Sequence, residues 1–198
     1  MKILVINIKA TERLALLAVK QGVKHFVFTS TTALYGFSST PDGVAGWVNE
    51  TIIPRPKTIY HKSKIEAERV LENISNLFNL PITVLQMSRC FPEPANLMAL
   101  YRLTRGIDAR DVANAHACAI EKRLLGFRRY IISGKTPFNQ KCCEQLYLNG
   151  DDLVKEYAPK LAKDFADRAW KLPRCLDRVY DSRLAQLELG WLPKYGYE

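Results

Sequence analysis

The chain has 198 residues, 47% hydrophobic and 25% charged, a composition that fits a globular protein and excludes a disordered one. Lys and Arg number 29 against 20 Asp and Glu, a net charge of +9, but the basic residues are scattered with no run of five. That pattern argues against a nucleic-acid partner and leaves a solvated basic surface or a small phosphorylated ligand. No apolar stretch reaches the ~18 residues of a membrane helix, and the apolar start is too short for a signal peptide, so no membrane partner and a cytoplasmic location are expected.

The first forty residues alternate strand, helix, strand. Residues 2–6 form a short apolar run, residues 11–20 place Leu14, Leu17 and Ala18 on one helical face, and Gly22 closes that helix before a strand over 26–29. Such alternation marks a parallel sheet. Residues 37–58 are rich in Ser, Pro, Gly and Thr and read as a long loop, of the kind that in compact domains is usually functional. A helix follows from Tyr60, with Ala67, Val70, Leu71, Ile74, Leu77 and Phe78 at spacings of three and four, and Pro81 ends it before a strand over 82–87. Phe91-Pro92-Glu93-Pro94 is a loop. Residues 108–122 read as a helix with Val112, Ala115 and Ala119 inward, and residues 130–133 as a strand. The rest is helical, ending in a helix over 182–189 capped by Asp181 or Ser182 and stopped by Gly190.

Five cysteines, odd in number and without an export signal, read as reduced thiols. No Cys or His pair stands at ligand spacing, so no metal site is expected.

Chemistry concentrates at Tyr60-His61-Lys62-Ser63-Lys64, a Y-x-x-x-K at the start of a helix. An i, i+4 pair stacks a phenol and an ammonium about one turn apart, where the cation favours the phenolate. Alone the motif is weak, since nine tyrosines in a lysine-rich chain allow one by chance. Its context is stronger. The strand Phe26-Val27-Phe28 ends in Thr29-Ser30-Thr31-Thr32, a set of hydroxyls at the carboxyl end of a parallel strand, where such folds bind ligands. The plainer reading is a polar strand end whose hydroxyls cap the backbone.

The string from Gly22 to Gly36, the Tyr60/Lys64 pair and Ile82-Thr83-Val84-Leu85 resemble the middle of extended short-chain dehydrogenases of the NAD-dependent epimerase/dehydratase family, with UDP-glucose 4-epimerase a functional relative. Ile107-Asp108-Ala109-Arg110-Asp111-Val112-Ala113 resembles the family's later helix, and Leu189-Gly190-Trp191-x-Pro193 its closing motif. The resemblance implies an α/β fold, the C-terminal half of a doubly wound, Rossmann-like parallel sheet over residues 1–133, with a small mainly helical substrate lobe over 134–198. It implies a catalytic set of Tyr60 as general acid/base, Lys64 holding the nicotinamide ribose, and Thr31 bonding the reacting oxygen. Thr29, Ser30, Met87 and Ser88, with Tyr60 and Lys64, would contact NAD or NADP; Thr31, Thr32 and Arg89 would meet a nucleotide-sugar substrate. Gln86 departs from the family, where many relatives carry arginine. A homodimer is implied through the helices at 11–20 and from Tyr60. The implied reaction is hydride exchange between a sugar carbon and the nicotinamide while Tyr60 exchanges a proton.

No strand runs into a G-x-G-x-x-G or related turn that opens a helix, and Gly43-x-x-Gly46 lies inside the loop. By the resemblance, Asn7 to Thr11 align with the family's N-V-x-G-T, and about ninety residues would precede them. Three accounts are open: a fragment of an ordinary enzyme, which is favoured; a degenerate relative serving as a binding module; or a subunit completed by another polypeptide.

Overall fold

The computed structural model describes residues 4–197. In chain order, a π-helical turn (Val5–Ala10) runs into α1 (Thr11–Lys20), followed by β1 (Phe26–Thr31), β2 (Gly46–Val48), α2 (Ile59–Phe78), β3 (Ile82–Met87), α3 (Ala95–Thr104), α4 (Ala109–Lys122) and β4 (Phe127–Ile132). Then come α5 (Cys143–Leu148), α6 (Gly150–Tyr157), α7 (Pro159–Asp167), β5 (Arg178–Tyr180) and α8 (Arg183–Leu189).

β1, β3 and β4 form a parallel sheet in the order β1-β3-β4, with Phe26 beside Ile82 and Ile82 beside Phe127. Side chains alternate across a strand, so each strand feeds two cores. Phe26, Phe28, Ile82 and Val84 pack with Ala15, Ala18, Leu71 and Ile74 of α1 and α2. Val27, Leu85, Tyr130 and Ile132 turn the other way, onto Ala115 and Ala119 of α4, Ala185 and Leu189 of α8, and Trp191. With both faces covered, β3 is buried from Ile82 to Gln86, its polar Thr83 and Gln86 included. This is the α/β, partly wound parallel sheet the resemblance implied. A third cluster gathers Leu146, Leu153, Val154, Leu161, Phe165 and Val179 from the C-terminal helices, joined by Ala45 and Leu103.

Several local readings need correction. Of the apolar run over 2–6, the described residues are not a strand: Leu4 is helical and Val5 to Ala10 form the π turn, while Met1, Lys2 and Ile3 lie outside the described residues. A short apolar run does not by itself separate strand from helix, and Val5 and Ile6 are in fact exposed. α1 has the expected limits, with Gly22 at φ +65°, but it buries Ala15 and Ala18 and leaves Leu14 and Leu17 exposed. Leu77 and Phe78, at the end of α2, are exposed as well. The loop over 37–58 contains β2, which pairs in parallel with β5, and α3 lies in a stretch with no reading of its own. β1 and β4 also begin or end a few residues away from their expected limits.

Candidate active site

The carboxyl ends of β1 and β3 and the first turns of α2 open onto a cavity of about 500 Å3. Gly22 and Asn79, both left-handed, close the preceding helices, and the two strands pair in register from Phe26 beside Ile82 to Thr31 beside Met87. α2 starts where the sequence allows it: Thr58 is extended and its hydroxyl accepts the His61 N–H at 3.2 Å, a serviceable N-cap. Its first turn is tied down from outside, since Asn7 donates to Ser63 Oγ at 2.9 Å and Ser63 donates to the Tyr60 carbonyl at 2.7 Å.

Every residue singled out from sequence lines this cavity: Thr29, Ser30, Thr31 and Thr32 from the β1 end, Tyr60 and Lys64 from α2, and Met87, Ser88 and Arg89 from the β3 end. Their side chains are not equally available. Lys64 is turned inward, its Nζ donating to the Thr29 carbonyl at 3.1 Å and standing 4.5 Å from the centre of the Phe28 ring. Burial pulls its pKa below the ordinary lysine value, and the nearby Glu68 carboxylate opposes that shift. Two of its three N–H bonds remain for a ligand. Thr31 accepts the Ala33 N–H at 3.2 Å, which leaves its own O–H free to donate. Tyr60 is 39% exposed at the rim. Thr29 shares a 2.7 Å hydrogen bond with His116 of α4. Met87 and Thr32 sit at the two strand ends, and Thr32 is buried.

Ser30 differs. It is buried, and its hydroxyl donates to Glu68 on the opposite side of β1 from Thr29 and Thr31. Glu68 sits one turn beyond Lys64 and also accepts from Gln86 at 3.0 Å and from Arg129 Nε at 2.8 Å, while Gln86 accepts the Tyr35 hydroxyl at 2.8 Å. This one carboxylate therefore fastens the helix bearing Tyr60 and Lys64 to all three strands. Gln86, the departure noted in sequence, is a buried member of that network rather than a wall of the cavity.

The far wall comes from residues that sequence reading passed over: Phe91, Tyr101 and Arg105 near α3, and Arg178 and Tyr180 on β5. Arg89 pairs with Glu93 and lies over the Tyr101 ring at 4.8 Å. Arg105 and Arg178 share Asp177, at 2.9 and 2.6 Å. With Lys64, four cations face two carboxylates, a net positive concavity suited to an anionic ligand. The only sequence signal was the presence of basic residues, since β5 reaches the cavity by pairing with a strand far away in the chain.

A nicotinamide dinucleotide would meet a suitable lining at its ribose and nicotinamide end. Ser88 Oγ is buried with no hydrogen-bond partner among the described residues, an orphan donor and acceptor that a ligand at this wall would satisfy. Lys64 and Thr31 offer further donors beside it. Among the described residues no strand passes through a glycine-rich turn into a helix, so the fit is with that end of the dinucleotide and not with its pyrophosphate. No group of three or more potential metal ligands occurs among the described residues, and no helix there is long and apolar enough to cross a membrane.

Residues 2–96 match the model of the NAD dependent epimerase/dehydratase family. No curated protein matches the chain. Solved structures share its fold. A dTDP-glucose 4,6-dehydratase from Bacillus anthracis str. Ames, in complex with NAD, gives a TM-score of 0.65 at 18% identity, covering 97% of this chain and 64% of that one. The UDP-glucose 4-epimerase of Thermotoga maritima, with UDP-glucose, gives 0.64 at 22% identity over 98% of this chain and 66% of that one. A UDP-glucuronic acid 4-epimerase from Bacillus cereus, with UDP-glucuronic acid and NAD, gives 0.64 at 17% identity over 96% and 63%. The chain thus spans just under two thirds of the length of these structures.

Proposed function

We propose that this chain belongs to the NAD dependent epimerase/dehydratase family, whose model residues 2–96 match, and that its cavity takes a nucleotide sugar and supports NAD(P)-dependent epimerase, dehydratase or oxidoreductase chemistry. The observation that carries the reading is Lys64, drawn in against the β1 end one helical turn from Tyr60 and lining the same cavity as Thr31, whose hydroxyl proton is free to donate. A dinucleotide, when bound, supplies the hydride acceptor and donor.

The chain's own groups do the rest. Tyr60 Oη takes and returns the proton of the reacting sugar hydroxyl. Lys64 binds the ribose with its remaining N–H bonds. The Thr31 hydroxyl donates to the same sugar oxygen, holding it within reach of Tyr60. Thr29, Met87 and Ser88 back the dinucleotide, with Ser30 supporting them from beneath through Glu68. Arg89, Arg105 and Arg178 bind the diphosphate, Thr32 and the aromatic wall the sugar. The proposal extends to a homodimer, supported by the exposed apolar side chains of α1 and the end of α2, Leu14, Leu16, Leu17, Leu77 and Phe78.

The test is turnover of UDP-glucose, UDP-glucuronic acid and dTDP-glucose with added NAD, followed by proton NMR of the sugar, alongside an NADH fluorescence titration. Tyr60→Phe is expected to cut turnover by ~100-fold or more with NADH affinity retained. A Tyr60→Phe protein that turns over like the parent removes Tyr60 from the mechanism, and absence of both turnover and NADH binding removes the function.

A further inference from the structure

A second cavity, of about 690 Å3, lies apart from the candidate active site and shares none of its lining residues. Its walls come from four separate segments, and each contributes a cation: Arg102 from α3, Arg110 from α4, Lys135 from the loop after β4, and Lys194 from the C-terminal stretch. Tyr195, Pro137 and Pro193 supply the apolar part of the lining.

The cations are held in place, not merely nearby. Asp108, the N-cap of α4, accepts from Arg102 Nη2 at 2.6 Å and from Arg110 Nε at 2.8 Å, so one carboxylate fixes two guanidiniums. The Arg110 guanidinium lies 3.5 Å from the centre of the Tyr195 ring, which supports its other side. The wall carrying Lys194 is pinned by Asp111, buried in α4, whose two oxygens accept the backbone N–H groups of Lys194 at 2.8 Å and Tyr195 at 2.9 Å. Trp191, fully buried, secures the approach by donating to the Asp111 carbonyl at 3.0 Å.

Lys135 is set by its neighbour. Gly134 donates to the Gly106 carbonyl at 2.8 Å, and a Cβ on Gly134 would fall 2.9 Å from that same oxygen, so only glycine lets the loop close against the end of α3.

Among the described residues, the charge around the cavity does not balance. Asp108 offsets one of the two arginines, whereas the ammonium groups of Lys135 and Lys194 have no hydrogen bond or ion pair among the described residues. Like charges gathered around one concavity repel, and backbone contacts fix the four segments that carry them around it. An anion carrying two or more charges relieves that repulsion, and a cavity of this size suits a small molecule.

We propose that this cleft between α3, α4 and the Pro193–Tyr197 stretch is a second binding site, one for a small diphosphate-bearing anion, recognised by Lys135 and Lys194 with the free N–H bonds of Arg102 and Arg110. The two lysines meet the phosphate oxygens as mobile point charges, and the two guanidiniums give the fixed frame. Free pyrophosphate and a nucleoside diphosphate share this chemistry.

The experiment is calorimetric titration of the full chain with pyrophosphate and, separately, with uridine diphosphate. Replacing Lys135→Met and Lys194→Met together is expected to raise the pyrophosphate Kd by about tenfold or more. The pair Lys135→Arg and Lys194→Arg is expected to restore binding, and circular dichroism to show both variants folded. Arg89→Gln removes a diphosphate contact proposed for the other cavity, and the pyrophosphate binding that depends on Lys135 and Lys194 is expected to persist in it. Equal affinities for the two ligands assign the site to phosphate groups alone, and tighter uridine diphosphate binding assigns it to a nucleotide. The proposal falls if pyrophosphate does not bind, if the double Met variant binds it unchanged, if Arg89→Gln abolishes binding, or if a short RNA displaces it at lower concentration than uridine diphosphate does.

Discussion

Replacing Glu68 tests whether one buried carboxylate fastens the catalytic helix to the sheet. Glu68→Ala removes the acceptor for Ser30, 3% exposed, and for the Gln86 amide, 1% exposed. Neither group has another acceptor for those protons, so each loss costs ~1–3 kcal/mol. Arg129 also loses its partner, but its side chain is 32% exposed and Glu72 stands 3.6 Å away, so its share is discounted to ~1 kcal/mol or less. The total is on the order of 3–5 kcal/mol, a large part of the ~5–15 kcal/mol that holds a domain folded. Glu68→Gln keeps one oxygen for Ser30 or Gln86 and is expected to cost ~1–2 kcal/mol. Urea unfolding followed by tryptophan fluorescence reads both: with a slope of ~2–3 kcal/mol per molar, the Ala variant should lose ~1–2 M in midpoint. A loss below ~0.3 M, or equal losses for Ala and Gln, would refute the reasoning, because the bonds would then carry no weight.

The same carboxylate bears on Lys64. Burial lowers the Lys64 pKa and Glu68 resists, so NMR titration of lysine side chains should show Lys64 titrating below the other lysines, and lower still in Glu68→Gln. Since the folded state releases that proton first, stability is expected to rise with pH from the folded Lys64 pKa toward the ordinary value of 10.5, a gain that Lys64→Met abolishes. Asp108 acts at the other end of the scale. The hydrogen bond from Arg110, foremost, holds its pKa at about 2 against the usual 3.8, so the stability it contributes is present above 3.8 and lost as pH falls toward 2. Asp108→Asn should flatten acid unfolding in that window, and an unaltered acid limb would show that the Arg102 and Arg110 bonds are inconsequential.

The sequence by itself determined the elements whose signals are local. Pro81 and the apolar run after it mark β3, spacings of three and four mark α2 and α4, and Gly22 marks the end of α1. It also marked the cavity lining at the β1 end and the Tyr60/Lys64 pair, because parallel strands bind ligands at their carboxyl ends and a helix repeats every 3.6 residues, whereas Met87, Ser88 and Arg89 at the β3 end came from the family resemblance.

What depended on distant partners was decided only in three dimensions. β2 and β5 are three residues each and exist by pairing with one another across the chain, so neither carries a usable period. Leu14 and Leu17 have the character of core residues, yet the bulk of the sheet and α2 leaves room on that helix only for Ala15 and Ala18. Ser30 shares its chemistry with Thr29 and Thr31, but strand alternation aims it at Glu68. Arg102, Arg110, Lys135 and Lys194 read as scattered charge until α3, α4, the end of β4 and the C-terminal stretch converge, since charge acts through space and sequence records only order along the chain.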